Sequence, residues 1–410
     1  AQELGALLAV GVAYLRAFDV AGLAPDAGAR RIGFVLALSQ DQFMTIAKAR
    51  AARSLWASAL KHAGVANAPM RIDGVTAERM FARHDMHVNV LRATIAGFAG
   101  AVGGLDGLTV LPFDARLGGR DPLARRIARN LQIVLAEESN LGRVADPAGG
   151  AFFVERLTRQ LAEAGWAEFQ KIERDGGIVA ALENGSLAGR IAETAAARGV
   201  NVAKRRDAVT GVSEFANLAD PPPRRIDLGP ACAAALADLK SGAPLLGSPL
   251  AGAGGALKPV SATAPYEALR DASDAYLART GARPQVFLAN IGRLAEFNTR
   301  ATFAANAFAA GGVAVAGRSD VGYADADAAA AAFAESGAAV ACICGTDAAY
   351  GSLGPAFAEA LKRAGAKQVW LAGRPGGAEA DLRAAGVDDF VFMGADIPAA
   401  LTSVHRAIGV

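Results

Sequence analysis

Short apolar runs alternate with longer amphipathic stretches along the first half of the chain. Arg31–Leu38, Pro69–Asp73 and Gly107–Pro112 are predicted strands, and the stretches between them carry apolar residues at helical spacing. Asp41 and Asp121 stand at the N-cap positions of two predicted helices. Strands that alternate with long helices predict a parallel sheet, and this rhythm favours the second part of a β/α barrel of the TIM type.

A second series of strands and helices occupies residues 284–410. Each of its apolar runs is followed by a helical pattern, which predicts a small, doubly wound α/β domain of the flavodoxin-like kind. The predicted strands are Gln285–Asn290, Val313–Gly317, Ala338–Cys344, Lys367–Gly373 and Asp389–Gly394. A ligand of such a domain is expected over the carboxyl ends of these strands.

Composition changes between the two series. Residues 217–283 are rich in Pro, Gly, Ala and Ser, which is typical of a linker, and short helical patterns interrupt them at 233–240 and 266–280. The expected organisation is therefore a barrel part with a helical extension at 1–216, a linker at 217–283 and a flavodoxin-like domain at 284–410.

Charge and cysteine content exclude several classes of protein. The formal net charge is +2, and the basic residues are interleaved with acidic ones, so no nucleic-acid partner is expected. No run of 18 strongly apolar residues occurs, so a membrane span is not expected. Cys232, Cys342 and Cys344 lack metal or disulfide spacing, which indicates small buried residues of a cytoplasmic protein.

Several ungapped blocks resemble the methylmalonyl-CoA mutase family, in the order in which that family carries them. They are Ile46–Trp56, Phe113–Gly119, Ala124–Thr158 and Val200–Leu218. The resemblance implies an acyl-CoA-binding barrel followed by a vitamin B12 domain. The family barrel begins upstream of Ala1, so the first barrel strands, with the family's catalytic tyrosine, are expected to be absent from this chain.

The resemblance also locates the family's barrel histidine, which contacts the thioester carbonyl from a segment like R-x-H-x-Q-T-S-G. The corresponding stretch is MRIDGVTAERM, in which Asp73 occupies the histidine position. A carboxylate donates no hydrogen bond to a carbonyl unless it is protonated. His84 and His87 follow nearby and are predicted to be helix-face or capping residues. No catalytic residue is therefore expected in this chain.

The family's cobalt ligand is the histidine of a D-x-H-x-x-G loop after the first strand of the B12 domain. Here the loop reads GRLAEFNTRA, and the histidine position falls on Glu296, or on Phe297 with one inserted residue. Arg374 follows the fourth strand and is expected to place a cation in the path of the cofactor's nucleotide tail. We expect neither metal nor cobalamin in the remnant cleft, which comprises Gly292, Glu296, Phe297, Asn298, Thr346 and Gly373.

In these departures from the family pattern, the chain resembles the small subunits of heterodimeric mutases. In such mutases a large subunit is catalytic and holds adenosylcobalamin. The resemblance implies a complex that interconverts succinyl-CoA and (R)-methylmalonyl-CoA. The helices over Asp121–Ser139 and Phe152–Arg174 are candidate subunit surfaces, with Arg125 and Arg129 among their charges. Two alternatives stay open: an active acyl-CoA mutase with atypical cobalamin binding, and a stand-alone regulatory or chaperone-like homologue.

Overall fold

The computed structural model describes residues 1–66, 68–119, 121–224, 257 and 260–410. The chain divides into two compact units, each made of more than one stretch of sequence. The first unit contains Ala1–Phe81 and Met86–Ala195, and the second contains Ala82–Asp85, Ala196–Pro223 and Ala262–Val410. These units differ from the expected division at residues 216 and 283, because residues 196–216 pack within the second unit.

The first unit is an α/β structure with one parallel sheet. Its strands are β1 (Gly33–Leu38), β2 (Arg71–Thr76) and β3 (Gly107–Thr109), in the order β1-β2-β3. Its helices are α1 (Gln2–Val20), α2 (Pro25–Ala29), α3 (Gln42–His62), α4 (Val88–Val102), α5 (Pro122–Ile133), α6 (Phe152–Arg174), α7 (Gly177–Glu183) and α8 (Ser186–Ala203), the last of which ends in the second unit. The described part of this unit therefore contains a sheet of three parallel strands.

One face of this sheet is packed and the other is open. Phe34, Leu36 and Leu38 of β1 are buried, whereas Val35 between them is 62% exposed. This alternation follows from the two-residue period of a strand. The buried face meets α3, where the Trp56 ring lies 4.9 Å from the Phe34 ring in an edge-on arrangement.

Local cap chemistry sets the starts of the long helices. The Asp41 carboxylate accepts a hydrogen bond from the Met44 amide at 3.2 Å, which begins α3. The Asp121 carboxylate accepts from the Leu123 amide at 2.8 Å, and α5 then continues into a π-helical turn at Val134–Glu138. Both predicted N-caps are confirmed.

Two predicted strand boundaries in this unit are wrong. Strand β2 runs from Arg71 to Thr76, so the predicted strand at 69–73 begins and ends too early. Strand β3 ends at Thr109 instead of Pro112. The reason is that the Leu111 amide donates to the Thr76 side-chain oxygen at 2.8 Å instead of continuing the ladder of backbone hydrogen bonds.

The second unit contains a five-stranded parallel sheet. Its strands are β4 (Gln285–Asn290), β5 (Ala314–Ala316), β6 (Val340–Cys344), β7 (Gln368–Ala372) and β8 (Asp389–Val391), in the order β5-β4-β6-β7-β8. Its helices are α9 (Ala264–Thr280), α10 (Leu294–Ala309), α11 (Ala326–Ser336), α12 (Asp347–Ser352), α13 (Gly354–Arg363), α14 (Glu379–Ala384) and α15 (Ile397–Ile408). Each predicted strand of this series is present.

Both faces of this sheet are buried, each in its own apolar cluster. Phe297 and Trp370 belong to one cluster, and Phe287 and Phe357 belong to the other. Strand β6 is buried along its whole length, as expected of a central parallel strand. Cys342 and Cys344 are free thiols, and both are buried in the cluster that contains Phe297. The sequence predicted that these two cysteines are buried.

Helix α9 lies in the segment expected to be a linker, yet it belongs to the core of the second unit. Tyr266 of α9 is fully buried, and its hydroxyl donates to the Val202 carbonyl at 3.2 Å. Because the apolar environment disfavours a phenolate, burial raises the pKa of Tyr266. The other predicted helix, at 233–240, and Cys232 lie outside the described residues.

Helix composition also bears on membrane insertion. Among the helices in the described ranges, none combines the length and the apolar character needed to cross a bilayer.

Candidate functional site

The loops at the carboxyl edge of the five-stranded sheet form the candidate site. This edge is where ligands bind in open parallel sheets, because the helix N-termini and loop amides meet there. The structure places all of the predicted remnant residues on the loops or helix starts that follow β4, β6 and β7. Their side chains have different roles, which follow loop by loop.

The loop after β4 turns sharply and starts α10. Gly292 has a φ of +83°, a conformation that glycine adopts without strain. The Glu296 carboxylate then accepts from the Arg293 amide at 2.7 Å and caps the helix. This backbone hydrogen bond, with the Arg293 side chain, holds the pKa of Glu296 below its ordinary value. Glu296 is therefore a capping residue of the turn.

The two residues that follow point in different directions. Phe297 is fully buried in the apolar cluster beneath the sheet. Asn298, one residue further along α10, is exposed. The helical period of α10 thus separates these two predicted remnant residues, and Phe297 packs in the core and does not line the loop edge.

Arg300 makes the contacts that define the middle of this edge, and the sequence did not indicate it. Its guanidinium donates to the Ala372 carbonyl at 2.9 Å and to the Asp347 carboxylate at 2.6 Å. It also lies 5.4 Å from the centre of the Tyr350 ring. Burial is the largest single influence and would lower the pKa of Arg300, but the hydrogen bond to Asp347, the charge of Asp347 and the neighbouring Tyr350 together outweigh it, so the pKa is raised. One side chain thereby ties α10 to the ends of β6 and β7.

Gly373 leaves the space that Arg300 occupies. A Cβ atom at this position would lie 1.7 Å from an Arg300 guanidinium nitrogen. The φ of Gly373 is +150°, which side chains rarely adopt. A side chain at this position would therefore displace the tip of Arg300 and would strain the backbone.

Tyr350 adds hydrogen bonds to the same arrangement. Its hydroxyl donates to the Ala372 carbonyl at 2.6 Å and accepts from the Gly345 amide at 2.9 Å. Burial raises the pKa of the Tyr350 phenol well above its ordinary value. Tyr350 is therefore a neutral structural link between the ends of β6 and β7.

Thr346 has a local role. Its hydroxyl accepts from the Ala349 amide at 3.1 Å, which makes Thr346 the N-cap of α12. Its side chain is exposed beside Asp347, the partner of Arg300.

Arg374, which follows β7, contacts an aromatic side chain next to β8. Its guanidinium lies 5.3 Å from the centre of the Phe392 ring. The cation that crosses Gly373 is Arg300, whereas Arg374 lines a cleft of about 540 Å³ between α10 and the ends of β7 and β8. The cleft adjoins the Arg300 contacts, since Arg300 forms part of its wall.

Asp73, the candidate position of the first unit, lies in the middle of β2 on the open face of the sheet. Its side chain is 40% exposed, with the Arg71 guanidinium 3.8 Å away. In the register of the sheet it stands opposite Gly107, where a Cβ atom would lie 2.3 Å from an Asp73 oxygen. Gly107 thus provides the room in which the Asp73 side chain lies.

The predicted role of His84 is wrong. His84 is buried in the second unit and bonds the Asp271 carboxylate at 2.9 Å, with an Asp274 oxygen 3.9 Å from its other ring nitrogen. Burial lowers the pKa of His84 despite these acids. The three side chains are close enough to hold a cation. Arginines already neutralise both carboxylates, however, because Arg83 bonds Asp271 and Arg283 bonds Asp274.

Two of the other three histidines, His87 and His405, lie elsewhere. His87 occupies the N-cap position of α4 but makes no side-chain cap, and its ring lies 5.1 Å from the Phe113 ring. His405 in α15 is buried and bonds the Gly311 carbonyl at 2.9 Å. Neither is brought to the Glu296 loop by a described contact.

Comparison with known proteins identifies the family. The fold is that of an α/β protein with two parallel sheets. The loops at the carboxyl edge of the second sheet are in the position where such proteins bind ligands. The family model described as Methylmalonyl-CoA mutase matches residues 1–241, which is more than half of the chain. The chain therefore belongs to the methylmalonyl-CoA mutase family.

Its relatives include subunits of both kinds. The methylmalonyl-CoA mutase small subunit of Streptomyces virginiae is 48% identical over the whole chain and 62% of its own length. The small subunit of Propionibacterium freudenreichii subsp. shermanii is 35% identical over the whole chain and 60% of its own length. The large subunit of Streptomyces virginiae is 36% identical over only 52% of this chain. The chain thus resembles small subunits along its full extent and spans about three fifths of their length.

Proposed function

We propose that this chain is the non-catalytic small subunit of a heterodimeric, adenosylcobalamin-dependent methylmalonyl-CoA mutase and that it stabilises the catalytic large subunit. In this proposal the complex interconverts succinyl-CoA and (R)-methylmalonyl-CoA, and the large subunit holds the cofactor. The observation that carries the proposal is the Arg300 guanidinium, which lies across Gly373 at the carboxyl edge of the sheet.

The residues at this edge do not fit cobalamin. An axial cobalt ligand in this family is an imidazole nitrogen, oriented by a further hydrogen-bonding group. The two positions that the resemblance assigns to the ligand hold Glu296, which caps α10, and Phe297, which is buried in the core. Neither side chain offers a nitrogen. Arg300 adds a second obstacle, since it fills space beside Gly373.

The first unit supports the same proposal through Asp73. Polarising a thioester carbonyl requires a hydrogen-bond donor or a cation near its oxygen. An ionised carboxylate only accepts hydrogen bonds. The Arg71 guanidinium lies 3.8 Å from Asp73, but it is 75% exposed, so water weakens its field. We therefore assign no catalytic step to this position.

The architecture that we propose is the second part of a β/α barrel followed by a flavodoxin-like, cobalamin-binding-type domain. Numbered from its first strand, the five-stranded sheet has the order 2-1-3-4-5, which is the flavodoxin-like order. Parallel β1, β2 and β3, each followed by a helical segment, support the barrel part.

The proposed partner is a mutase large subunit, and the proposed location is the cytoplasm. The relatives named small subunit support such a partner, and Streptomyces virginiae has a relative named large subunit as well. Binding of a folded partner stabilises a protein by mass action, which needs no chemistry in the smaller chain. Exposed apolar residues at the starts of α5 and α6 support these helices as contact surfaces: Leu123 is 56% and Phe152 is 80% exposed.

Two alternatives predict different behaviour. An active mutase with atypical cobalamin binding retains cobalamin without a partner. A stand-alone regulatory or chaperone-like homologue fails to co-purify with a large subunit. The capping role of Glu296 and the burial of Phe297 argue against the active mutase. The relatives named small subunit argue against the stand-alone homologue.

Cobalamin retention by the purified chain tests the proposal. After incubation with adenosylcobalamin and desalting, the chain is expected to show no cobalamin absorbance, and the Phe297→His variant is expected to show none either because Arg300 still fills the edge. A large subunit treated in parallel, with its own histidine, provides the positive control. Retention of one equivalent of cobalamin by the unmodified chain would contradict the proposal.

A further inference from the structure

A four-residue segment, residues 82–85, is docked in the second unit and depends on polar contacts for its docking. The residues on either side of it, Phe81 and Met86, belong to the first unit. Ala82 packs in the apolar cluster that contains Tyr266 of α9. Because an alanine methyl group buries little apolar area, the polar contacts of the next residues matter more for the docking of this segment.

Arg83 supplies the charged contacts of the 82–85 segment. Its backbone amide donates to the Glu267 carboxylate of α9 at 2.8 Å. Its guanidinium donates to Glu267 at 3.2 Å and to Asp271 at 2.6 Å. Since an arginine stays protonated throughout the physiological pH range, Arg83 holds the segment without itself responding to pH.

His84 lies between two carboxylates that arginines already neutralise. Its Nε2 is 2.9 Å from Asp271 and its Nδ1 is 3.9 Å from Asp274, and the side chain is only 3% exposed. Arg83 pairs with Asp271, and Arg283 pairs with Asp274 at 2.7 Å. A neutral imidazole with its proton on Nε2 donates to Asp271 and adds no charge to this arrangement.

The charged groups around His84 come from several stretches of the second unit. The buried guanidinium of Arg270 is close enough for its charge to disfavour an imidazolium. Burial is the largest influence and lowers the pKa of His84, although the hydrogen bond to Asp271 opposes it. The described charged groups that act on His84 or on these neighbours are Arg83, Asp85, Asp220, Glu267, Arg270, Asp271, Asp274 and Arg283.

We propose that His84 makes the docking of the 82–85 segment sensitive to protons, so that the segment is held while the imidazole is neutral and loosens when the imidazole is protonated. Protonation adds a buried positive charge between acids whose charges are already balanced. The undocked histidine binds its proton more readily than the docked one, so docking is fully favoured above about pH 6.5 and weakens as the pH falls below that value. This inference is independent of the subunit assignment, since a non-catalytic subunit without this device remains possible.

Hydrogen exchange of the full chain between about pH 7.5 and pH 5.5 tests the proposal. The reporter is the Arg83 amide, whose measured rate is divided by the intrinsic rate at each pH to give a protection factor. We expect this protection factor to fall as the pH drops below about 6.5. In the His84→Gln variant it is expected to stay constant, because glutamine still donates to Asp271 and does not titrate.

The carboxylate partner is expected to stay ionised over this pH range. Burial would raise the pKa of Asp271, but Arg83 and His84 outweigh it and the pKa lies below its ordinary value. A fall in protection that depends on residue 84 therefore reports the imidazole. Circular dichroism of each variant at each pH checks that the chain is folded.

His405→Gln is the matched control. His405 is also buried in the second unit and its pKa is also lowered by burial, but it bonds the Gly311 carbonyl at 2.9 Å. Its substitution is expected to leave the pH response of the Arg83 amide unchanged. A constant protection factor in the unmodified chain would overturn the proposal without any variant. A response that persists in full in His84→Gln, or that vanishes in His405→Gln, would overturn it as well.

Discussion

Arg300 is the residue whose contacts best explain the shape of the candidate site. A single guanidinium bonds a backbone carbonyl of β7 and a carboxylate of α12 and covers the Tyr350 ring. These contacts place a side chain over Gly373, where a ligand would otherwise approach the backbone. The cofactor exclusion that we propose for this chain would thus have two independent physical causes, an edge occupied by Arg300 and a ligand position without a nitrogen.

The close approach of Arg300 to Gly373 leads to a quantitative prediction about stability. Gly373→Ala is expected to lower the free energy of unfolding by about 1–3 kcal/mol, because the φ is unfavourable and the new Cβ displaces the guanidinium from its hydrogen-bond partners. In the Arg300→Ala background the same substitution is expected to cost less, since only the conformational part remains. Urea unfolding of the four proteins, followed by hydrogen exchange in β6 and β7, measures the coupling.

Gly376→Ala is the control for that cycle. Gly376 has a φ of +55° but no atom near its would-be Cβ, so its substitution costs conformational strain without a clash. Its cost is expected to be the same with and without Arg300. If Gly373→Ala cost equally much in both backgrounds, the clash with Arg300 would not be a determinant of this edge.

At the scale of elements, the starts of helices were the best-predicted features. Asp41 and Asp121 cap their helices through amides two or three residues away, so the signal is local and visible in the sequence. Strand ends depend on distant partners. The Leu111 amide leaves the ladder for the Thr76 hydroxyl, 35 residues earlier, and no pattern near Leu111 indicates this.

The candidate site was predictable only in outline. The carboxyl edge and its loops followed from the alternation of strands and helices, and the replaced histidine position followed from the family resemblance. The split between Glu296 as a cap and Phe297 as core depends on the orientation of α10, which packing decides. Arg300 was missed because its partners lie 47 and 72 residues away in sequence.

Helix α5 provides a prediction about the proposed subunit surface. Arg125 and Arg129 are exposed on it, so we expect their replacement by glutamate to preserve the fold, which circular dichroism of the variant checks. We expect the double variant to weaken association with the large subunit by about tenfold, the usual scale of a lost charge contact at an interface, with normal turnover at saturating partner. Analytical ultracentrifugation and turnover at varied partner concentration separate the two quantities.

Arg198→Glu on α8 is the matched charge reversal outside the proposed surface, and Arg198 is also exposed. It is expected to associate normally. If the variant with both Arg125→Glu and Arg129→Glu assembled as tightly as the unmodified chain, these arginines would only face solvent and would make no subunit contact.

At the scale of the whole molecule, the described chain consists of two units whose residues interleave along the sequence. The second unit recruits Ala82–Asp85 and helix α9 in addition to its sheet. Partly buried ion pairs and one hydrogen bond hold these segments together: Arg83 pairs with Glu267 and Asp271 of α9, and His84 bonds Asp271. The helical pattern at 266–280 was predicted, but the Pro- and Gly-rich composition around it placed this helix in a linker, whereas tertiary packing makes α9 part of the core.

The measurement that tests the central claim most directly is the turnover of the reconstituted complex with Asp73→Ala in this chain, at saturating large subunit. If this chain is non-catalytic, turnover is expected to be unchanged, and Asp73→His is expected to add no activity. Sedimentation of each complex confirms assembly. A fall in turnover of about a hundredfold, the usual effect of removing a group that takes part in the chemistry, with assembly intact, would contradict the account.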